Sequence, residues 1–272
     1  RVPEDGEVFR PGTIYVAPPD HHMLIGETQV VLVRGPKENR SRPAIDPLFR
    51  SAALFHPHRA IGVILSGMLD DGTAGLWALK NAGGIAVIQK PSDCMHPDMP
   101  RNAAMSTPID YEIEAGLMGP LFQKLCASHS TPPPGGSAAG RELRVENAYA
   151  TLEKVPREEL EKLGTPSSLI CPLCGGPLWR MKNGPRRFRC HTGHAFSAGT
   201  LLEDHREHTE RAVAVLLRLL DDEVNLLEHV RENLGNNPEK TGDLDKAEAE
   251  ARRRAELVRS LLPSDPPVTL SD

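Results

Sequence analysis

Ile61-Gly62-Val63-Ile64-Leu65 is a short, continuous apolar run, and a second follows at Ile85-Ala86-Val87-Ile88. Between them stand an acidic turn, Asp70-Asp71-Gly72, and a stretch from Thr73 to Ala82 that reads as helix, with Gly83-Gly84 as its stop. Two apolar strands joined through a helix pair in parallel, because a tight turn cannot connect strands that point the same way. The fold class expected is therefore α/β, with a doubly wound, mostly parallel sheet. The two carboxylates then sit at the end of a buried strand, where the active sites of such sheets collect.

The flanking sequence fits this core. Thr13 to Val16 reads as a short strand ended by a Pro-Pro-Asp turn. His22–Ile25 and Gln29–Val33 flank Gly26-Glu27-Thr28 as a β-hairpin, and Asp46 to Leu54 reads as helix, with Pro47 in its first turn. The 272 residues include 39% hydrophobic and 25% charged positions, with a net charge of -5. That balance suits a soluble protein and disfavours nonspecific DNA binding by the whole chain. No apolar stretch approaches the roughly 20 residues of a membrane helix, and no signal peptide is legible, so no membrane insertion and a cytoplasmic location are expected.

The second half differs in composition. Residues 127–141 read as a Pro/Gly/Ser linker after a first domain at 1–126. A charged helical segment is expected at 142–165, followed by a Cys/His segment at 166–202. A helical hairpin at 203–262 and a tail at 263–272 complete the chain. In the hairpin Val213, Leu217, Leu220, Val224, Leu227 and Leu234 alternate spacings of four and three, with Arg231 at the missing step. This stripe is a seam for a second helix around Leu244–Leu262, folded back after Gly235-Asn236-Asn237-Pro238, or for self-association or a helical partner.

Asp70 and Asp71 carry two readings. Asp-Gly is a common turn pair. A carboxylate at a strand end also orients a histidine in Ser-His-Asp hydrolysis. That chemistry needs a serine on a glycine-flanked elbow, and no G-x-S-x-G occurs here; Ser66 lacks the elbow pattern. His21 and His22, at the start of a hairpin, read as turn or surface residues.

Four stretches in order, "EDGEVFRPGTIYVAPPDHHM", "NRSRPAIDPLFRSAA", "GVILSGMLDDGTAGL" and "MPRNA", resemble the catalytic domain of the chemotaxis-type protein-glutamate methylesterases, the CheB family. The resemblance implies a doubly wound α/β sheet, incomplete at its N-terminus here, and a Ser-His-Asp triad. It makes Asp71 the triad aspartate, Asp70 a less strict neighbour, and Met68 a position near the oxyanion hole. The family's serine, in a G-x-S-x-G-G stretch, and its histidine, in an H-x-P-type stretch, would both precede Arg1. The substrates implied are glutamate methyl esters on chemoreceptors or receptor-like proteins, with glutamine deamidation by the same acyl chemistry.

The five cysteines are Cys94, Cys126, Cys171, Cys174 and Cys190, and three of them cluster. Cys171-x2-Cys174-x15-Cys190-x3-His194 has the spacing of a tetrahedral Zn²⁺ site, and four protein ligands make such a site structural. His191 is the rival fourth ligand. A redox role is disfavoured because the C-x-x-C lacks a thioredoxin-like context. The cluster resembles a C-terminal extension of some stand-alone members of the same family. Arg180, Lys182, Arg186, Arg187 and Arg189 around Trp179 and Phe188 read as a solvated basic loop, and no nucleic-acid partner is expected.

The first functional reading is thus a methylesterase carrying a zinc-and-helix extension and inactive without its upstream serine and histidine. The second is a catalytically inactive esterase-like zinc protein that binds a partner. The third, a nucleic-acid-binding zinc protein, rests on Arg186 and Arg187.

Overall fold

β-Branched residues on both sides of a Gly-Glu-Thr turn make β1 (His22–Ile25) and β2 (Val30–Val33) an antiparallel hairpin. In the computed structural model, which describes residues 1–127, 140–234 and 238–262, α1 (Ile45–Phe55) packs on this hairpin. Thr13–Val16 forms no strand; Val16 N–H is taken by the Arg1 carbonyl instead of a neighbouring strand. β3 (Ile61–Ile64), α2 (Thr73–Asn81) and β4 (Ile85–Gln89) follow, and β3 and β4 pair in parallel with Ile61 opposite Ile85. After α3 (Asp98–Ser106), β5 (Tyr111–Ile113) adds on the far side of β4, giving the order β3-β4-β5. The architecture is α/β, as the apolar runs require, and no order reversal occurs among these three strands. Ile64, Leu76, Leu79, Ala86 and Ile88 form its core with Phe49 from α1.

α4 (Met118–Ala127) ends this part. The expected linker falls mainly on residues 128–139, outside the described residues. The charged segment is not one helix. It divides into α5 (Gly140–Ala150) and α6 (Arg157–Leu163), because Leu152 takes a positive φ of 61° and Pro156 denies the backbone a donor. α5 lies on α1 and places Leu143 in the α/β core.

β6 (Gly164–Ile170), β7 (Pro177–Met181), β8 (Arg187–Cys190) and β9 (Ala195–Ser197) form an antiparallel four-stranded ribbon in sequence order. β9 also bridges in parallel to the segment before α1, Ala195 against Glu38. Residues 1–202 accordingly form one compact unit, and residues 203–272 a second. α7 (Ala198–Leu234) and α8 (Pro238–Arg259) are the hairpin helices. Leu220 packs with Ala255 and Val258, flanked by Val213 and Leu217, so this part of the four-three stripe faces α8. The expected break at residues 235–237 and the tail from 263 lie outside the described residues. No described helix is long and apolar enough to cross a membrane.

Candidate functional site

The acidic turn lies beyond the C-terminal end of β3 and runs into α2. Gly72 sits at φ +88°, and a Cβ there would meet Ile64 Cδ1 at 2.4 Å, so only glycine lets the chain turn this tightly. Leu69 also has a positive φ, 62°, and Asn102 Nδ2 donates to its carbonyl at 2.7 Å. A bulky residue held in this region marks a turn whose shape is imposed by its surroundings.

Asp71 points away from solvent toward the start of α1. Its Oδ2 accepts from Ile45 N–H at 2.7 Å, and its Oδ1 from Asp46 N–H at 3.4 Å and from Asn39 Nδ2 at 3.2 Å. It thus caps α1, whose own N-cap residue, Ala44, has no side chain for the task. Asp46 returns the favour, its Oδ1 accepting from Gly75 N–H at 2.6 Å in the first turn of α2. Three donors fill three of the roughly four acceptor positions of a carboxylate, so one remains for a further N–H. Burial drives the Asp71 carboxyl up to about 7, the charge of Asp46 adds to this, and the three hydrogen bonds oppose it. Burial raises Asp70 to about 6 against a hydrogen bond from Ser197. Asp46 is raised as well, by burial first. A cavity of about 140 Å³ opens beside these groups, with Asp70, Asn102 and Ser197 in its wall.

The other expected positions divide. His22 is not a surface residue. It is fully buried, with Nε2 2.9 Å from the Pro36 carbonyl and Nδ1 accepting from Ala44 N–H at 3.2 Å. That pattern fixes a neutral ring, and burial lowers its pKa accordingly. Met68 is 64% exposed. Ser66 is tied to the His96 backbone, its Oγ accepting from His96 N–H at 3.0 Å.

The basic loop is solvated only in part: Arg180, Lys182 and Arg186 are exposed, as expected, and the other two arginines are not. Arg187 and Arg189 are alternate residues of β8, and both turn into the interior. Arg187 forms a double hydrogen bond to Glu146 at 2.5 Å, and Arg189 reaches Glu38 at 3.2 Å and Glu146 at 3.3 Å. Arg50 closes the set, to Glu38 at 2.6 Å and Glu146 at 3.2 Å. All five side chains are at least nine-tenths buried. Burial opposes both carboxylates, yet the arginines hold Glu38 down at about 2 and Glu146 lower still. Glu142 stands 3.8 Å from Arg187 at the edge of the set, and Arg50, Glu38 and Arg187 act on the buried Asp46. No spacing rule pairs Glu38 or Glu146 with Arg189; the one legible hint was an Arg-x-Arg alternation in a strand.

Cys171, Cys174, Cys190 and His194 converge, with all ligand atoms within 4.8 Å of one another. Cys174 Sγ is 3.6 Å from Cys190 Sγ, and His194 Nδ1 is 3.7 Å from Cys171 Sγ and 3.5 Å from Cys190 Sγ. Metal–ligand lengths of about 2.1 to 2.3 Å give tetrahedral edges of about 3.4 to 3.8 Å, so the donor set fits a zinc-sized ion. His191, beside Cys190, is exposed and outside the group. A hydrogen bond from Cys171 holds the Cys190 thiol down at about 3, and the same hydrogen bond pushes Cys171 up.

The CheB methylesterase family model matches residues 1–120, the stretch that contains the hairpin, the parallel sheet and the acidic turn. Residues 1–120 belong to the CheB methylesterase family. A protein-glutamate methylesterase/protein-glutamine glutaminase of Photorhabdus laumondii is 41% identical over 111 residues, 39% of this chain and 32% of that protein. A Leptospira interrogans relative is 39% identical over 123 residues, covering 45% of this chain and 64% of its own length. The chain therefore spans less than two thirds of these curated relatives. The crystal structure of the Thermotoga maritima CheB methylesterase catalytic domain aligns at 32% identity with a TM-score of 0.44, over 46% of this chain and 68% of that one.

Proposed function

We propose that this chain supplies the orienting aspartate of a Ser-His-Asp ester hydrolase acting on glutamate methyl esters of chemoreceptor-like proteins. The carrying observation is Asp71, held by three donors at the end of a parallel strand with one acceptor position left. A histidine N–H in that position would be fixed in one tautomer, and its imidazolium would draw the Asp71 proton off. The serine and histidine are assigned to residues outside this sequence. The serine oxygen attacks the ester carbonyl and the histidine takes its proton, then passes it to the leaving methoxide, releasing methanol. Water, deprotonated by the same histidine, cleaves the acyl-serine and leaves the glutamate carboxylate. Glutamine deamidation follows the same steps with ammonia leaving. Substrates on the cytoplasmic helices of receptors place the protein in the cytoplasm, within chemotaxis-type signalling.

The Cys3His group is assigned a structural zinc, because all four donors belong to the protein and no position is left for substrate. Bound zinc would fix the knuckle at Cys171–Cys174 against the one at Cys190–His194. A second reading, an inactive esterase-like module that binds a partner, is favoured by the use of Asp71 as a helix cap.

The deciding experiment takes the native protein from its source cells, measures its intact mass, and assays methanol release from methylated receptor fragments. A mass well above 29.7 kDa, an upstream serine elbow and turnover that falls severely with Asp71→Ala support the esterase. A near-normal Asp71→Ala rate removes Asp71 from the triad. A mass matching the chain, with no turnover, selects the binding module.

A further inference from the structure

Asn39 stands between the metal-site hairpin and the acidic turn. It adopts a left-handed backbone, φ +49°, which Asn tolerates and most residues do not. Its backbone N–H donates to the Ala195 carbonyl at 2.8 Å, and its Oδ1 accepts from Ser197 N–H at 3.1 Å. Both partners are on β9, which begins at the residue after His194. On the other side its Nδ2 donates to Asp46 Oδ2 at 2.8 Å and to Asp71 Oδ1 at 3.2 Å. The amide is nine-tenths buried, and both its ends are in use. The other two donors to Asp71, Ile45 N–H and Asp46 N–H, are backbone groups of α1.

We infer that Asn39 is a positioning residue for Asp71, and that the metal-site hairpin sets the geometry of that carboxylate through β9 and the Asn39 amide. The route is short. His194 fixes the start of β9, β9 grips Asn39 at two points, and Asn39 turns one N–H to each of two buried carboxyls. An amide oxygen and nitrogen cannot be exchanged without losing bonds on both sides, so a shift of β9 reaches Asp71 as a rotated or lost donor. The catalytic consequence rests on the reading of Asp71 given above; the positioning itself does not.

The test reads the Asp71 carboxyl carbon directly, by 13C NMR titration of the zinc-loaded 272-residue chain labelled at aspartate, with Asp71→Asn to assign the signal. Asp46 is the charged group facing Asp71, and Arg50, Glu38 and Arg187 act on Asp46; all four stay in every variant. Asn39→Gly keeps only the backbone and adds no charge. Asn39→Asp keeps the backbone conformation and the acceptor for Ser197 N–H but replaces the donor with a further carboxyl beside Asp46 and Asp71. Asn39→Gly should raise the Asp71 midpoint by about one pH unit, because a donor to the charged form is lost, and Asn39→Asp should raise it further, because a like charge then faces it. Stripping the zinc with a chelator should shift Asp71 the same way in the parent chain and leave Asn39→Gly unchanged, since its link is already cut. An Asp71 titration indifferent to both substitutions overturns the inference. So does a chelation shift of equal size in the parent and Asn39→Gly, which would bypass Asn39. No turnover is needed, so the outcome separates from the esterase reading. A displaced Asp71 signal in a protein whose hydrolysis ignores Asp71 keeps the positioning and removes the esterase assignment. An unmoved signal with Asp71-dependent hydrolysis does the reverse.

Discussion

Asp71 is a carboxyl that the fold prefers protonated until about pH 7. Unfolded, it ionises near its ordinary 3.8, so between those values the native state binds more protons than the unfolded chain. Its contribution to stability is therefore present below pH 4 and is lost as pH rises through 7. Asp71→Asn should flatten that decline, so thermal melts of the two proteins between pH 4 and 8 should converge at the acid end and separate toward neutrality; parallel curves would refute the assignment. Glu146 behaves oppositely. Its carboxylate is stabilised by arginines, and that contribution is lost only in strong acid, below its ordinary range. Glu146→Gln takes from Arg50, Arg187 and Arg189 the buried carboxylate they share, leaving Arg187 only the more distant Glu142, a loss of about 3 to 5 kcal/mol by urea unfolding. Neither property is visible in the sequence. The turn residues Asp70, Asp71 and Gly72 are legible there, as is the reason for glycine, but the environment of Asp71 comes from Asn39, Ile45 and Asp46 of another segment.

Elements were read well where local chemistry decides them. The hairpin at His22–Val33, both strands of the βαβ unit and α2 fall within a residue or two of their expected bounds, because apolar run length and glycine stops are local signals. The charged segment was misread because its periodicity persists across Thr151–Pro156, where a proline and one positive-φ residue end it. Thr13–Val16 has strand-forming residues, but no strand among the described residues pairs with it. α1 and α2 approach closely at Gly75, where a Cβ would sit 2.8 Å from Phe49 Cβ and 2.9 Å from the Asp46 carbonyl. Gly75→Ala should force the helices apart and cost about 1 to 3 kcal/mol, measured as a lower urea midpoint with an unchanged slope. Because Asp46 reaches the Gly75 amide, the same change should weaken the cap of α2 and raise amide exchange in its first turn.

At the scale of the molecule, the Cys/His segment is a constituent of the first unit and no appended bead. Its strand β8 sends two arginines into a network with Glu38, Arg50 and Glu146, and β9 pairs with the segment before α1. Purified protein should carry one zinc per chain by elemental analysis, and Cys171→Ser should lose it. The loss should lower the melting temperature of the whole 1–202 unit in a single transition; a separate low-temperature step for the ribbon, with the α/β part unchanged, would contradict the unit. Glu38 and Arg189 lie 151 positions apart in the chain. On the ribosome, Glu38 and Arg50 emerge long before Glu146, Arg187 and Arg189. During that interval the nascent α/β layer holds an ion pair it can neither fully bury nor complete, and its closure waits on the translation of the ribbon.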